Sequence, residues 1–179
     1  SPGYSEIAWW YANDGTGHFG PQQVIATEVA SGACVYAADL DNDGDLDVLS
    51  GTGWFANDGS GHFTRKEGAL GDYAVDLDGD GDLDVLSAFN WYENDGSGHF
   101  GSRQVIITVG GGAWSVYAAD LDGDGDSDVL SASEWQSKIA WYVNDGTGQF
   151  GPQQVITTAA YSALCVYAAD LDADGDLDV

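Results

Sequence analysis

The sequence predicts an all-β fold, a β-propeller of four-stranded antiparallel blades with four blades' worth of chain. Three observations predict it: a four-fold internal repeat, short strand-forming segments between turn signals, and the phase of the two chain ends. In the repeat, "WY" or "WF" starts at Trp10, Trp54, Trp91 and Trp141, and "NDG[TS]G" follows at Asn13, Asn57, Asn94 and Asn144. Each copy reaches Phe19, Phe63, Phe100 or Phe150 nine residues after its Trp. An aspartate cluster starts at Asp39, Asp76, Asp120 and Asp170 and always spans eight residues from first to last acid. Length changes at two joints only. Last acid to next Trp is 7, 7 and 13, and Phe to next cluster is 20, 13, 20 and 20. Fixed segments with variable joints are paired strands connected by loops.

The elements follow in order. The first and second strands of a unit are "VYAAD" and "DVLSA", joined tightly by the aspartate cluster. "KIAWYVND" and "QFGPQQVI" supply the third and fourth, rich in Val, Ile, Tyr and Trp. Between them "NDG[TS]G" is a hairpin signal, because Asn, Asp and Gly accept positive φ. None of these segments carries a 3.6-residue apolar stripe through its glycines, so helices are not expected. One such sheet cannot bury both faces alone, and blades packed around an axis solve that problem. The units fall at about 31–69, 70–111 and 112–160, with half-units at 1–30 and 161–179 in one repeat domain. The chain begins in a third strand (Ile7–Tyr11) and stops in a second (Asp178, Val179), so the halves are expected to complete one blade within the chain. Exchange of halves between two chains, or a longer array, is the other outcome.

Composition narrows the function. Against 30 Asp and Glu stand four Lys and Arg, a net charge of −26, which excludes nucleic acid as a partner because phosphate contacts need cations. At 44% hydrophobic and 12% aromatic the chain is not a disordered acidic tail. No run of 18 apolar residues forms a membrane-spanning helix. A start at Ser1-Pro2-Gly3 with no Met anywhere reads as a processed or excised chain. Cys34 and Cys165 occupy the same place in their repeats and read as buried thiols; a disulfide requires the first and last repeats to be neighbours.

"DLDGDGDSD" (120–128) sets carboxylates at loop positions 1, 3, 5 and 9, with Gly at position 6 for the sharp turn. With a backbone carbonyl at position 7, this is most of an oxygen shell for Ca²⁺, about four ions per chain, one per loop. Without His or Cys there, Zn²⁺ and Cu²⁺ are excluded. The helical EF-hand fails as a rival, since it needs Glu at position 12, where Ser50, Ser87 and Ser131 stand among strand formers. Left uncompensated, like charges ~4 Å apart cost on the order of 1 kcal/mol per pair even in water. The acids at position 7 (Asp45, Asp82, Asp126, Asp176) are expected to lend their carbonyls and turn their carboxylates outward. Calcium is plentiful outside cells, so a secreted or cell-surface setting follows.

"DLDGDGDLDVLSA" followed by "WYENDGSGHFG" resembles the FG-GAP/VCBS repeats of integrin α-subunit propellers and secreted proteins, over nearly the whole chain. The resemblance implies a Ca²⁺ loop between the first two strands of each blade. The ligands it implies are Asp39, Asp41, Asp43 and Asp47 with the carbonyl of Asp45. The same roles fall to Asp76, Asp78, Asp80, Asp84 and Asp82, to Asp120, Asp122, Asp124, Asp128 and Asp126, and to Asp170, Asp172, Asp174, Asp178 and Asp176. Two departures stand out: Ala173 replaces Gly or Asn at position 4, and the chain has material for four blades where the integrin type has seven.

Integrin-type propellers use the face opposite the calcium loops for ligands. That face here carries Trp135, Gln136 and Lys138 in the 13-residue joint, with Trp114 and Tyr161 in the connections between units. The repeated Trp10, Trp54, Trp91 and Trp141 read as packing between blades, with sugar stacking as the alternative. His18, His62 and His99 give way to Gln149 in the fourth copy and read as turn residues. No nucleophile, acid or base stands apart from the repeats, so catalysis is not expected. The function expected is an extracellular calcium-binding module for adhesion to, or recognition of, a protein or glycan. The alternatives are a structural unit of a larger extracellular assembly and a sugar-binding propeller lectin.

Overall fold

The computed structural model describes residues 6–29, 35–51, 53–68, 71–88, 90–106 and 113–179. They form an all-β chain of antiparallel sheets. The first complete sheet holds β3 (Val35–Ala38), β4 (Asp47–Ser50), β5 (Gly53–Asn57) and β6 (Phe63–Lys66), in that spatial order. The second holds β7 (Tyr73–Val75), β8 (Asp84–Ser87), β9 (Asn90–Tyr92) and β10 (Gln104–Val105). The third holds β11 (Ala113–Ala119), β12 (Asp128–Ser133), β13 (Lys138–Tyr142) and β14 (Gln154–Thr157). Each is a meander in which every strand pairs with its sequence neighbour, as short segments between tight turns require.

Register places the turns. Ala38 pairs with Asp47, Val75 with Asp84 and Ala119 with Asp128, so each aspartate cluster bridges first and second strands at one end of its sheet. Asn57 pairs with Phe63 across the "NDG" turn, and the bridges Asn94–Phe100 and Asn144–Phe150 repeat this at the same end. The joint from second to third strand lies at the other end. There Ser50 pairs with Gly53, Ser87 with Asn90 and Ser133 with Lys138.

The cores lie between sheets. Leu40, Leu49, Trp54 and Ala56 of the first sheet pack with Ala74 and Val85 of the second. Leu77, Leu86 and Trp91 of the second pack with Ala118, Val129 and Tyr142 of the third. The first strands also meet in a ladder of tyrosine rings. Tyr36–Tyr73, Tyr73–Tyr117 and Tyr117–Tyr167 have centroids 4.7, 5.8 and 4.5 Å apart. Contact of first strands from sheet to sheet is the inner-strand convergence of propeller blades. Burial within this ladder pushes the Tyr73 phenol up to about 12, with Tyr36 and Tyr117 adding to it.

The two half-units behave differently from expectation. β1 (Glu6–Asn13) and β2 (Phe19–Val29) pair as a two-stranded hairpin, equivalent to third and fourth strands. At the other end Ala169 bridges Asp178, as first and second strands should. Among the described residues no ladder joins the two halves, so the completion of one blade within the chain is not made. Each half follows its sequence neighbour instead. Val166 and Ala168 pack on Leu130 and Ala132 of the third sheet, while β2 lies against β6 of the first. Three whole sheets stand between them. The reading of buried thiols is also corrected at Cys165, a free and exposed thiol on the uncovered last unit; Cys34 lies outside the described residues.

Candidate metal centres and the opposite face

Each aspartate loop is folded by its own backbone. The first acid accepts the N–H of the position-6 glycine: Gly44 to Asp39 at 3.0 Å, Gly81 to Asp76 at 3.0 Å, Gly125 to Asp120 at 3.0 Å and Gly175 to Asp170 at 3.1 Å. These glycines have φ of 93 to 101°, which a side chain opposes. The acid at position 5 accepts the N–H at position 7, as from Asp45 to Asp43 at 2.9 Å. Position 4 is left-handed too, and Ala173 is forced to φ 63° where Gly79 and Gly123 sit easily. Left-handed geometry costs an L-residue about 1–2 kcal/mol, less the entropy that glycine loses. Ala173→Gly is therefore expected to stabilise the chain by up to about 1 kcal/mol, read from the urea midpoint.

The folding of the loops brings carboxylates together. Ligand-capable oxygens lie within 4.8 Å of one another in Asp39–Asp41–Asp43, Asp76–Asp78–Asp84, Asp120–Asp122–Asp128 and Asp170–Asp172–Asp178. Asp47 in the first loop, and Asp80, Asp124 and Asp174 in the others, are not drawn into these groups. The acid at position 9 has a second duty. Asp47, Asp84 and Asp128 are fully buried and braced from two sides. Asp47 accepts N–H bonds from Leu40 (3.0 Å) and Asn57 (2.8 Å). Asp84 accepts from Leu77 and Asn94, both at 2.9 Å. Asp128 accepts from Leu121 (3.0 Å) and Asn144 (2.9 Å). Among the described residues Asp178 accepts only from Leu171, at 2.9 Å, and stays exposed.

Charge held out of water is the electrostatic signature of the site. Burial pushes Asp84 up to about 7 against the pull of its two amide donors, and it raises Asp47 and Asp128 in the same way. Burial and then the neighbouring acids also raise Asp41 and Asp78. Asp39 Oδ1 and Asp41 Oδ1 are buried with no hydrogen-bond partner. Unpartnered anionic oxygens in an all-oxygen donor set fit a hard divalent cation and nothing softer.

The position-7 acids do not point outward. In the three complete sheets the carboxylates of Asp45, Asp82 and Asp126 lie against Gly59, Gly96 and Gly146 of their own "NDG" hairpins, where a β-carbon would displace them. Asp82 Oδ1 also accepts Asn42 Nδ2 from the preceding sheet at 2.7 Å. Asp176 is exposed.

The hairpin asparagines carry more than the turn that the sequence suggested. Asn94 Nδ2 donates to Leu83 O of its own loop and to Leu40 O of the preceding sheet, both at 2.9 Å. Asn144 Nδ2 does the same with Ser127 O (3.0 Å) and Leu77 O (2.7 Å). The available signal was the repetition itself: Asn stands in all four copies although Asp or Gly would make the turn. The histidines are exposed turn residues. Ser60 Oγ donates to Asp58 at 2.6 Å and meets His62 Nδ1 at 2.9 Å, and Thr16 and Ser97 repeat this. In the fourth copy Gln149 Nε2 reaches Thr147 Oγ1 at 3.2 Å, so Gln fills the same place. Hydroxyl and amide donors hold Asp14, Asp58 and Asp95 below the usual carboxylate range.

The repeated tryptophans pack between units. Trp10, Trp54 and Trp91 lie over Gly61, Gly98 and Gly148 of the following hairpin. Trp54 and Trp91 are 1% and 2% exposed, so the repeat spends its largest side chains on stacking sheets.

Comparison with known proteins places this geometry. The FG-GAP-like repeat family model matches residues 2–50, 76–131 and 120–179. The chain belongs to the FG-GAP-like repeat family. Its FG-GAP repeats share a fold with a solved structure whose title describes recognition of non-reducing terminal N-acetylglucosamine by an Agrocybe aegerita lectin. The likeness has a TM-score of 0.60 at 24% identity and covers 86% of this chain and 47% of that one. The FG-GAP chain thus spans about half the length of that structure. No curated protein matches it.

At the far end of the FG-GAP sheets the ligand-face candidates gather in part. Trp135 (79% exposed) caps the turn between β12 and β13, and Tyr161 (82% exposed) lies in the connection after β14. The two segments are tied by Ala160 N–H to Ser137 O at 2.9 Å. Lys138 Nζ is partly buried and donates to Gln153 Oε1 at 2.8 Å, so it braces the hairpin. The Trp114 side chain lies outside the described residues. Sequence reasoning missed a groove of ≈ 340 Å³ between the first hairpin and the first full sheet, lined by Trp9, Trp10, Ile25, Val35 and Tyr36. It lies where the first hairpin faces β3 and β4 of the neighbouring sheet.

Proposed function

We propose that this chain is a non-catalytic recognition module, held together by Ca²⁺ in its aspartate loops and working outside the cell on a protein or glycan partner. One observation carries the metal part: Asp39 and Asp41 each keep a buried oxygen with no hydrogen-bond partner, while the three complete sheets each bury a carboxyl group at position 9. Asp39, Asp41 and Asp43, and the acids at positions 1, 3 and 9 of the other loops, would hold the ion. The ion would supply positive charge where the acids repel, and the oxygen-only donor set suits calcium. Extracellular calcium levels support the setting.

For the ligand surface, Trp135 and Tyr161 offer two exposed aromatics on segments tied to each other, the kind of rigid, low-entropy platform that recognition uses. The groove lined by Trp9, Trp10 and Tyr36 favours a second reading, a sugar site, given the fold shared with a sugar-recognising lectin. The test is a glycan and extracellular-protein array probed with calcium-loaded chain. The expected result is a saturable ligand whose binding falls about tenfold or more in Trp135→Ala or Tyr161→Ala, the weight of a binding hot spot. Loss in Trp9→Ala alone would move the site to the groove, and no ligand in either arm would refute recognition.

A further inference from the structure

We infer that Asn94 and Asn144 couple the aspartate loops of neighbouring sheets, so that the first three loops take up Ca²⁺ as one cooperative unit while the fourth titrates alone. The inference rests on the reading of the loops as calcium sites. The geometry that points to it is a continuous chain of hydrogen bonds running along the stack. Asp47 Oδ2 accepts the N–H of Leu40, and Leu40 O accepts Asn94 Nδ2. Asn94 N–H donates to Asp84 Oδ1, and Asp84 Oδ2 accepts the N–H of Leu77. Leu77 O accepts Asn144 Nδ2, Asn144 N–H donates to Asp128 Oδ1, and Asp128 Oδ2 accepts the N–H of Leu121.

Every link between Asp47 and Asp128 is buried. A buried polar chain of this kind is strong when complete and costly when one member is displaced. Each asparagine joins two loops: its Nδ2 holds a carbonyl of the preceding loop, and its backbone N–H holds position 9 of the loop in its own sheet. Leu40 is position 2 of the first loop, and its peptide is oriented only when that loop is folded; its carbonyl then fixes the amide of Asn94. The same asparagine, through its backbone N–H, anchors position 9 of the second loop. Asn94 Oδ1 and Asn144 Oδ1 are buried without partners, so it is the donors that hold these side chains in place. Ordering one loop with an ion therefore lowers the cost of ordering the next, which is a coupling free energy between sites and acts in both directions.

The fourth loop stands outside the relay. Leu171 N–H reaches Asp178, but among the described residues no asparagine donates to Leu121 O or bridges to the fourth loop, and its acids are all exposed. Asn57 supplies an internal control. It has the same turn position and donates to Leu46 O of its own loop at 3.0 Å, without an inter-sheet bond among the described residues.

The test is a calorimetric titration of the chelator-stripped full chain with CaCl₂, paired with hydrogen exchange at the Leu40 amide. The native chain is expected to show three ions in a cooperative phase and one independent ion. Asn94→Ala is expected to split the cooperative phase and to weaken both flanking loops about fivefold or more, the lower end of usual coupling; Asn57→Ala weakens one site only. The doubly substituted Asp76→Asn/Asp78→Asn chain, which keeps Asn94, is expected to lose protection at Leu40 in the untouched first loop, so the test stands even if Asn94→Ala fails to fold. Calcium heat that fits independent sites, with Leu40 protection unchanged by Asp76→Asn/Asp78→Asn, overturns the coupling alone. No calcium heat in any variant overturns the calcium reading and the coupling with it.

Discussion

Trp91→Ala is expected to lower the unfolding free energy by about 3–5 kcal/mol, the range for removing a buried Trp from a core. Trp91 is 2% exposed and shares its cluster with Leu77 and Leu86 of its own sheet and with Ala118, Val129 and Tyr142 of the next. Its ring also covers Gly148, whose φ of 71° and lack of side chain let the hairpin approach. Truncation thus opens a cavity between two stacked sheets, each stiffened by its own strand hydrogen bonds, so little of it can collapse. Trp10 makes the equivalent contact with Gly61 from the N-terminal hairpin, but it is only half-buried. Trp10→Ala is expected to cost less, about 2 kcal/mol, in proportion to its smaller apolar burial. Urea unfolding of the two variants checks the order. A cost below about 1 kcal/mol for Trp91→Ala, far under the usual loss for a buried Trp, would show that the tryptophans do not stack the sheets.

Calcium removal is expected to have the larger effect. An ion present at about 100 times its Kd adds about 2.7 kcal/mol per site. At about 2–4 °C per kcal/mol for a chain of this size, loss of two ions alone lowers Tm by roughly 10–20 °C. The pH dependence should also change sign. In the ion-free protein burial holds Asp84 at about 7, above its ordinary carboxylate value. Between the unfolded value near 4 and that folded value, the native state keeps a proton that the unfolded chain has released. Stability of the ion-free chain therefore falls as pH rises through this window and grows as pH drops. Asp47 and Asp128, raised by the same burial, add in the same direction. With calcium present, protons compete with the ion for the same oxygens, and stability is greater at pH 8 than at pH 5. Thermal melts at the two pH values, with calcium and with chelator, should show opposite slopes. Slopes of the same sign would contradict the account.

Local spacing made much of the fold and site legible. Five alternating aspartates with a glycine at the turn form a loop wherever they occur, and "NDG[TS]G" closes a hairpin by the φ preferences of its own residues. Strand order and the Trp packing followed from a repeat whose variable joints lie at one end. What stayed illegible depends on which residue lies on the next sheet. Nothing within one repeat says that Asn94 reaches Leu40, fifty-four positions earlier, or that Asp82 faces Gly96 and Asn42 rather than water. The burial of Asp47, Asp84 and Asp128 was hidden for the same reason, since a sequence of alternating acids looks uniformly solvated. The two half-units show the limit most plainly: their phase matches, yet each stacks on its neighbour in sequence and no ladder joins them among the described residues.

The central claim is that divalent ions in the acidic loops let the sheets stack. Native mass spectrometry of the chain in millimolar calcium, followed by stepwise chelation while near-ultraviolet circular dichroism tracks the packed Trp and Tyr side chains, tests it most directly. Four bound ions and a tertiary signal that vanishes as they leave are the predicted result. A chain that keeps its full aromatic signal with no ion bound would contradict it.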